Sequence, residues 1–231
     1  MNMNFIGLVG SGYKRAARLT AELTGLRYVD TDEVLTRNLN LSLQDYYSMF
    51  TPTAFAELSQ RLAEQLASGD GYCIAVGDAL LTEPAAMKKL AAAGYTVYLS
   101  RPLAEIAADC EEPEHPLLRR GTDRLPELMK ERGQVFSSYA QCCPDWNGSA
   151  EAFAAEAAAC FNRDKEALDV KVRQAKALNE DLDHLLTHLE NRFSLLNAPD
   201  ALKQGYLDAI TAAIEDADRQ IKEYMDEWIS G

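Results

Sequence analysis

The residues from Phe5 to Arg15 read Phe-Ile-Gly-Leu-Val-Gly-Ser-Gly-Tyr-Lys-Arg, an apolar run that breaks into glycines and passes into a basic segment of helical composition. A glycine-rich turn feeding a helix points successive backbone N–H groups, and the positive end of the helix dipole, at an anion. Gly7, Gly10, Ser11 and Gly12 are therefore candidate phosphate ligands through their amides. The phosphate-loop pattern G-x-x-x-x-G-K-[ST] places a lysine and then a hydroxyl directly after its second glycine. Here Tyr13 stands in the lysine place and Lys14 in the hydroxyl place. Lys14 is the remaining candidate for phosphate charge; the same glycines would equally serve a plain strand-to-helix turn.

Further along, Asp30-Thr31-Asp32 offers two carboxylates suited to holding a cation or a hydroxyl. The same residues would also start a helix, with Thr31 or Asp32 capping the segment Glu33 to Asn38. Arg119 and Arg132 carry planar guanidinium forks that match carboxylates or phosphates. Between Cys110 and Arg120 lies an acidic loop with Glu111, Glu112 and Glu114, in which His115 is expected to be exposed.

The elements that must position these groups alternate. Apolar runs at Phe5 to Val9, Leu26 to Val29, Tyr72 to Val76 and Thr96 to Leu99 are separated by helical stretches, Lys14 to Thr24 and Glu83 to Ala93 among them. Such alternation predicts an α/β domain with a parallel sheet and helices on both faces. In that architecture ligands sit beyond the C-terminal ends of the strands, where Gly7 to Gly12, Asp30 to Asp32 and Gly77-Asp78 fall. The chain of 231 residues is 47% hydrophobic, enough for a core, and carries a net charge of −13, which argues against nucleic-acid or anionic-membrane partners. The five cysteines form no C-x-x-C pair and are expected to be idle or buried thiols. Without a membrane-spanning run or leader pattern, a cytoplasmic location is expected.

Gly7 to Gly12, Asp30-Thr31-Asp32, Gly77-Asp78, Pro116-Leu117-Leu118-Arg119 and Glu131-Arg132 together resemble the shikimate kinase family, over about residues 1–162 and without a gap from Gly7 to Ala79. The resemblance implies a P-loop three-layer domain, ATP and Mg²⁺ as cofactors, and phosphoryl transfer to shikimate. It implies nucleotide contacts from Gly7, Gly10, Ser11, Gly12, Lys14 and Arg119, a metal role for Asp30, and substrate contacts from Asp32, Gly77 and Arg132, with Asp32 beside the phosphoryl acceptor. Departures fall on both sides of the site. Tyr13 and Lys14 replace the lysine and the metal-holding hydroxyl, and His115 replaces the arginine of an R-P-L-L segment. Ala56 and Ser59 replace the arginine and glutamate of F-R-x-x-E, and Asp78 and Ala79 replace two glycines of a G-G-G turn, setting a carboxylate toward the substrate carboxylate. Change on both sides points to a pseudoenzyme acting as a binding or assembly module that needs no cofactor. The alternative is a working small-molecule kinase that relies on Lys14, with Arg119 or Arg120, and takes ATP and Mg²⁺.

From residue 163 onward no strand pattern recurs. Leu168, Val172, Ala175, Asn179, Leu182, Leu186, Leu189, Phe193 and Leu196 step by four and three, a heptad seam. Asn197-Ala198-Pro199-Asp200 reads as a stop and restart, and Leu207, Ile210, Ile214, Ala217, Ile221, Tyr224 and Trp228 repeat the seam. Two helices of roughly 30 residues are predicted to fold back as an antiparallel hairpin over 163–231, either bracing the first domain or forming a homodimer.

Overall fold

The computed structural model describes residues 1–49, 52–195 and 200–230. Its elements run β1 (Asn2–Gly7), α1 (Tyr13–Thr24), β2 (Arg27–Asp30), α2 (Thr31–Leu39), α3 (Leu43–Met49), α4 (Pro52–Ala67), β3 (Tyr72–Ala75), α5 (Asp78–Leu81), α6 (Pro84–Ala93), β4 (Gly94–Leu99), α7 (Leu103–Ala108), α8 (Leu125–Tyr139), α9 (Ala150–Leu195) and α10 (Asp200–Ser230). The chain divides into two units, Met1–Phe161 and Asn162–Gly231.

In the first unit the strands form one parallel sheet in the order β2-β3-β1-β4. Gly7 pairs with Leu99, and Asp30 with Ala75, so the carboxyl ends of all four strands open on one edge. Alternation along β1 sends Met3 and Phe5 to one face and Ile6 to the other. The first face packs against Ala16, Ala17 and Ala21 of α1 and Phe153, Ala157 and Phe161 of α9; the second carries the larger core, with Leu62, Met87, Leu90 and Phe136. This is the expected three-layer α/β domain.

β1 begins earlier than its apolar run, because two asparagines are buried in it. Asn2 donates to the carbonyls of Leu66 (3.2 Å) and Gly69 (3.0 Å) and accepts from the Tyr72 amide (2.9 Å). Asn4 donates to Leu90 O at 2.8 Å. Each amide satisfies a helix-end carbonyl that burial would otherwise leave without water.

In the second unit, α9 and α10 are antiparallel: Lys171, near the start of α9's share, lies over the ring of Tyr224, late in α10, at 5.4 Å. Leu168, Ile210 and Ala217 are buried, and Val172, Leu182, Leu186, Leu189, Leu207, Ile214 and Ile221 are half-buried, as the seams require. The side chains of Ala175, Asn179, Phe193 and Trp228, together with Leu196 and the stop at 197–199, lie outside the described residues. The change of composition at Asn162 is not a helix boundary, since α9 runs through it from Ala150. No helix among the described residues is long and apolar enough to cross a membrane.

Phe153 is fully buried against β1 and β4. Phe153→Ala is expected to lower stability by about 3–5 kcal/mol, read as a fall in the urea midpoint at unchanged slope; a loss below about 1 kcal/mol would remove α9's first turns from the core.

Candidate functional site

The loop after β1 is a tight turn into α1, with Ser11 N donating to Leu8 O at 3.0 Å and Ala16 N to Gly12 O at 3.0 Å. Gly12 sits at φ 88, a left-handed conformation in which a side chain would be strained. Tyr13, the first residue of α1, does not cover the loop. It is 3% exposed and packs with Phe5, Ala16 and Ala17, and burial first, then Glu112 and Asp32, push its phenol well above the ordinary tyrosine pKa. An apolar-packed phenol therefore stands where a lysine would face an anion. Beneath the loop the buried Arg101 donates to Ser11 O at 3.4 Å and to Asp109 at 2.6 Å.

Lys14 reaches the end of β2 instead. Its Nζ lies 2.9 Å from Asp32 Oδ2, 3.4 Å from Asp30 Oδ2 and 2.9 Å from Glu112 Oε1. Asp30 is the cap of α2, accepting from the amides of Asp32 (2.9 Å) and Glu33 (3.4 Å). This corrects the expectation that Thr31 or Asp32 caps the helix; the shortest reach to the free amides is from the residue before the first helical one. The acidic loop closes on the glycine loop from the other side. Glu111 N donates to Gly10 O at 3.2 Å, Gly10 N donates to Glu112 Oε2 at 3.4 Å, and Arg15 meets Glu111 at 3.6 Å.

Three carboxylates share one ammonium, and the charges respond accordingly. Burial opposes the charge on Lys14, but Asp32, Glu112 and Asp30 outweigh it and hold its pKa above the ordinary lysine value. Asp30 is pushed up to about 6, by burial first and by Asp32 besides, against the pull of Lys14. Lys14, Arg18, Asp30, Glu33, Thr36 and Glu112 line an adjoining cavity of about 460 Å³. Among the described residues no group of three or more histidine, cysteine or carboxylate side chains is arranged to hold a metal ion.

On the acceptor side, Gly77 N donates to Thr31 Oγ1 at 2.8 Å, and a Cβ on Gly77 would fall 1.9 Å from Asp32 Oδ1, so only glycine fits. Asp78 does not point a lone carboxylate at a ligand. It is held by Arg132 through two bonds, Nε to Oδ1 at 2.9 Å and Nη2 to Oδ2 at 3.1 Å. Tyr47 packs edge-on to Phe55 (5.5 Å) and His115 (5.7 Å), and burial, then Asp32 and Asp78, raise its hydroxyl far above the usual range. His115 is buried, not exposed: its Nδ1 accepts from the Leu117 amide at 3.2 Å, and burial lowers its pKa. Arg119 stays outside this cluster, exposed, with a bond to Ser48 Oγ at 3.4 Å.

The structure thus brings Gly10, Gly12, Lys14, Asp30, Asp32, Gly77 and Arg132 to one edge of the sheet, with Gly7 ending β1 below them. Sequence reasoning missed the engagement of Glu112, Arg101 and Tyr47. The run of glutamates was the one visible signal for the first, and nothing local marks the other two.

A family model described as shikimate kinase matches residues 9–162. The chain belongs to the shikimate kinase family. Within it, a shikimate kinase of Persephonella marina is 25% identical over 137 residues, 59% of this chain and 84% of that protein. One from Thermosynechococcus vestitus is 29% identical over 139 residues, 59% and 75% of the two chains. The fold is that of the shikimate kinase from Acinetobacter baumannii solved with shikimate, at TM-score 0.65 and 22% identity over 71% of this chain and 94% of the other. The Aquifex aeolicus structure superposes at TM-score 0.60 and 21% identity over 70% and 96%.

Because folding raises the Asp30 pKa from 3.8 to about 6, the native state holds a proton that the unfolded chain releases, and stability should fall as pH rises through that window. Asp30→Asn keeps the cap and removes the titration. Urea midpoints measured from about pH 4 to 6.5 should therefore fall less steeply in the variant; parallel profiles would show that Asp30 titrates normally.

Proposed function

We propose that this chain is a shikimate-kinase-like protein whose ATP:shikimate phosphotransfer has lapsed and which acts as a binding or assembly module. The observation that carries this reading is the seat of the Lys14 ammonium, between 2.9 and 3.4 Å from Asp30, Asp32 and Glu112. In the family reading, a hydroxyl at this position and the first aspartate hold Mg²⁺. Here a fixed ammonium already occupies the place between those carboxylates and would repel a second cation there. The residues present do not fit a magnesium–nucleotide complex.

Two further features support the reading. Phosphoryl transfer depends almost wholly on positive charge around the transferred group. At the loop, Tyr13 is neutral and buried, and a carboxylate of the chain's own Glu112 takes the Gly10 amide. On the acceptor side, the guanidinium of Arg132 is committed to Asp78, so a substrate carboxylate would have to displace an internal one. Ala56 and Ser59 bring no second guanidinium. The kinase alternative requires Lys14 to leave three carboxylates for a phosphate. A cytoplasmic setting belongs to the same proposal and agrees with cysteines at 73, 110, 142, 143 and 160 that are not joined in disulfides.

Calorimetric titration with MgATP tests this. The wild type should show no saturable heat to about 1 mM, and Tyr13→Lys/Lys14→Ser/Glu112→Ala should bind with a Kd below about 100 µM. A wild-type Kd near about 10 µM that requires Mg²⁺, with turnover lost in Lys14→Ala, would establish the kinase alternative instead.

A further inference from the structure

The two lateral sides of the α9–α10 hairpin differ in character. In the heptad, Leu178 and Leu185 of α9 and Tyr206 and Ala213 of α10 each stand one residue before a seam position, which in an antiparallel pair sets all four on one flank of the seam. Leu178 is 51% exposed, Leu185 45% and Tyr206 54%, among the largest apolar exposures of the described residues. The opposite flank carries Lys176, Asp183 and Glu190 of α9 and Gln204, Thr211 and Asp218 of α10, polar at every position and exposed. One flank is built to meet water and the other is not.

The seam residues Leu182, Leu186, Leu189 and Ile214, which adjoin this flank, are half-buried. Contiguous apolar exposure of this kind marks an interaction surface. Two helices side by side are about 20 Å wide, and the 22 residues from 203 to 224 span about 33 Å, giving a face on the order of 650 Å², within the roughly 600–1,000 Å² per partner of specific dimers.

We propose that this flank docks a second copy of the chain, closing two hairpins into a four-helix bundle about a two-fold axis. The face itself selects this occupant. Between 171 and 223 no carboxylate lies at the flank positions (Lys171, Leu178 and Leu185; Tyr206, Ala213 and Gln220), so this stretch offers nothing to a basic partner, while an identical apolar stripe is complementary to itself. The acidic residues between 171 and 223 occupy other heptad positions, where two like-charged copies hold them apart in water. The proposal names the partner for the assembly role proposed above and is independent of whether nucleotide binds.

Light scattering on the full chain at about 50 µM should give twice the chain mass. Leu178→Glu/Leu185→Glu should give the single-chain mass with unchanged helical circular dichroism and MgATP titration, while Lys176→Ala/Asp183→Ala on the polar flank should remain dimeric. Should the glutamate variant lose helix content, Leu178→Gln/Leu185→Gln replaces it and should weaken association at least tenfold. A wild type of single-chain mass, an apolar-flank variant that still dimerises, or a polar-flank variant that dissociates would overturn the proposal while leaving the nucleotide result unaffected.

Discussion

One half-buried ammonium among three carboxylates sets the character of the site. A charge removed from water costs several kcal/mol unless it is paired, and each partner of Lys14 belongs to a different part of the fold. Asp30 ends β2, Asp32 opens α2, and Glu112 comes from the acidic loop, while Lys14 itself lies in the first turn of α1. The cluster therefore fastens the glycine loop, the second strand and the acidic loop together. Removing the ammonium would leave three carboxylates facing one another without it, which is why this interaction constrains everything around it.

The acceptor side obeys the same rule. Arg132 and Asp78, more than fifty residues apart, satisfy each other in a two-point bond of 2.9 and 3.1 Å. On the reading proposed above, family membership and chemical competence separate at this point, because membership is carried by apolar pattern and glycine turns while phosphotransfer is carried by a few charges.

The hairpin shows a different balance. It is held by side chains rather than charges, and the described seam residues remain half in water because two helices enclose no interior. An apolar flank beside such a seam is where further burial yields the most stabilisation, at roughly 25 cal/mol per Å² removed from water.

Local pattern determined a great deal. Apolar runs located β2 to β4 to within a few residues, glycines located the turn into α1, and apolar residues stepping by three and four located the two long helices from Leu168 onward, because backbone geometry repeats over a few residues and the sequence repeats with it. Where local pattern misled, burial had been met by hydrogen bonds across the fold: Asn2 and Asn4 extend β1 by capping distant carbonyls, and His115 is buried as an acceptor beside Tyr47. The pairing of Lys14 with Glu112, of Arg132 with Asp78 and of Arg101 with Ser11 was decided only by tertiary structure. Charges choose partners by distance in space, and that distance exists only once the sheet has brought its strand ends together.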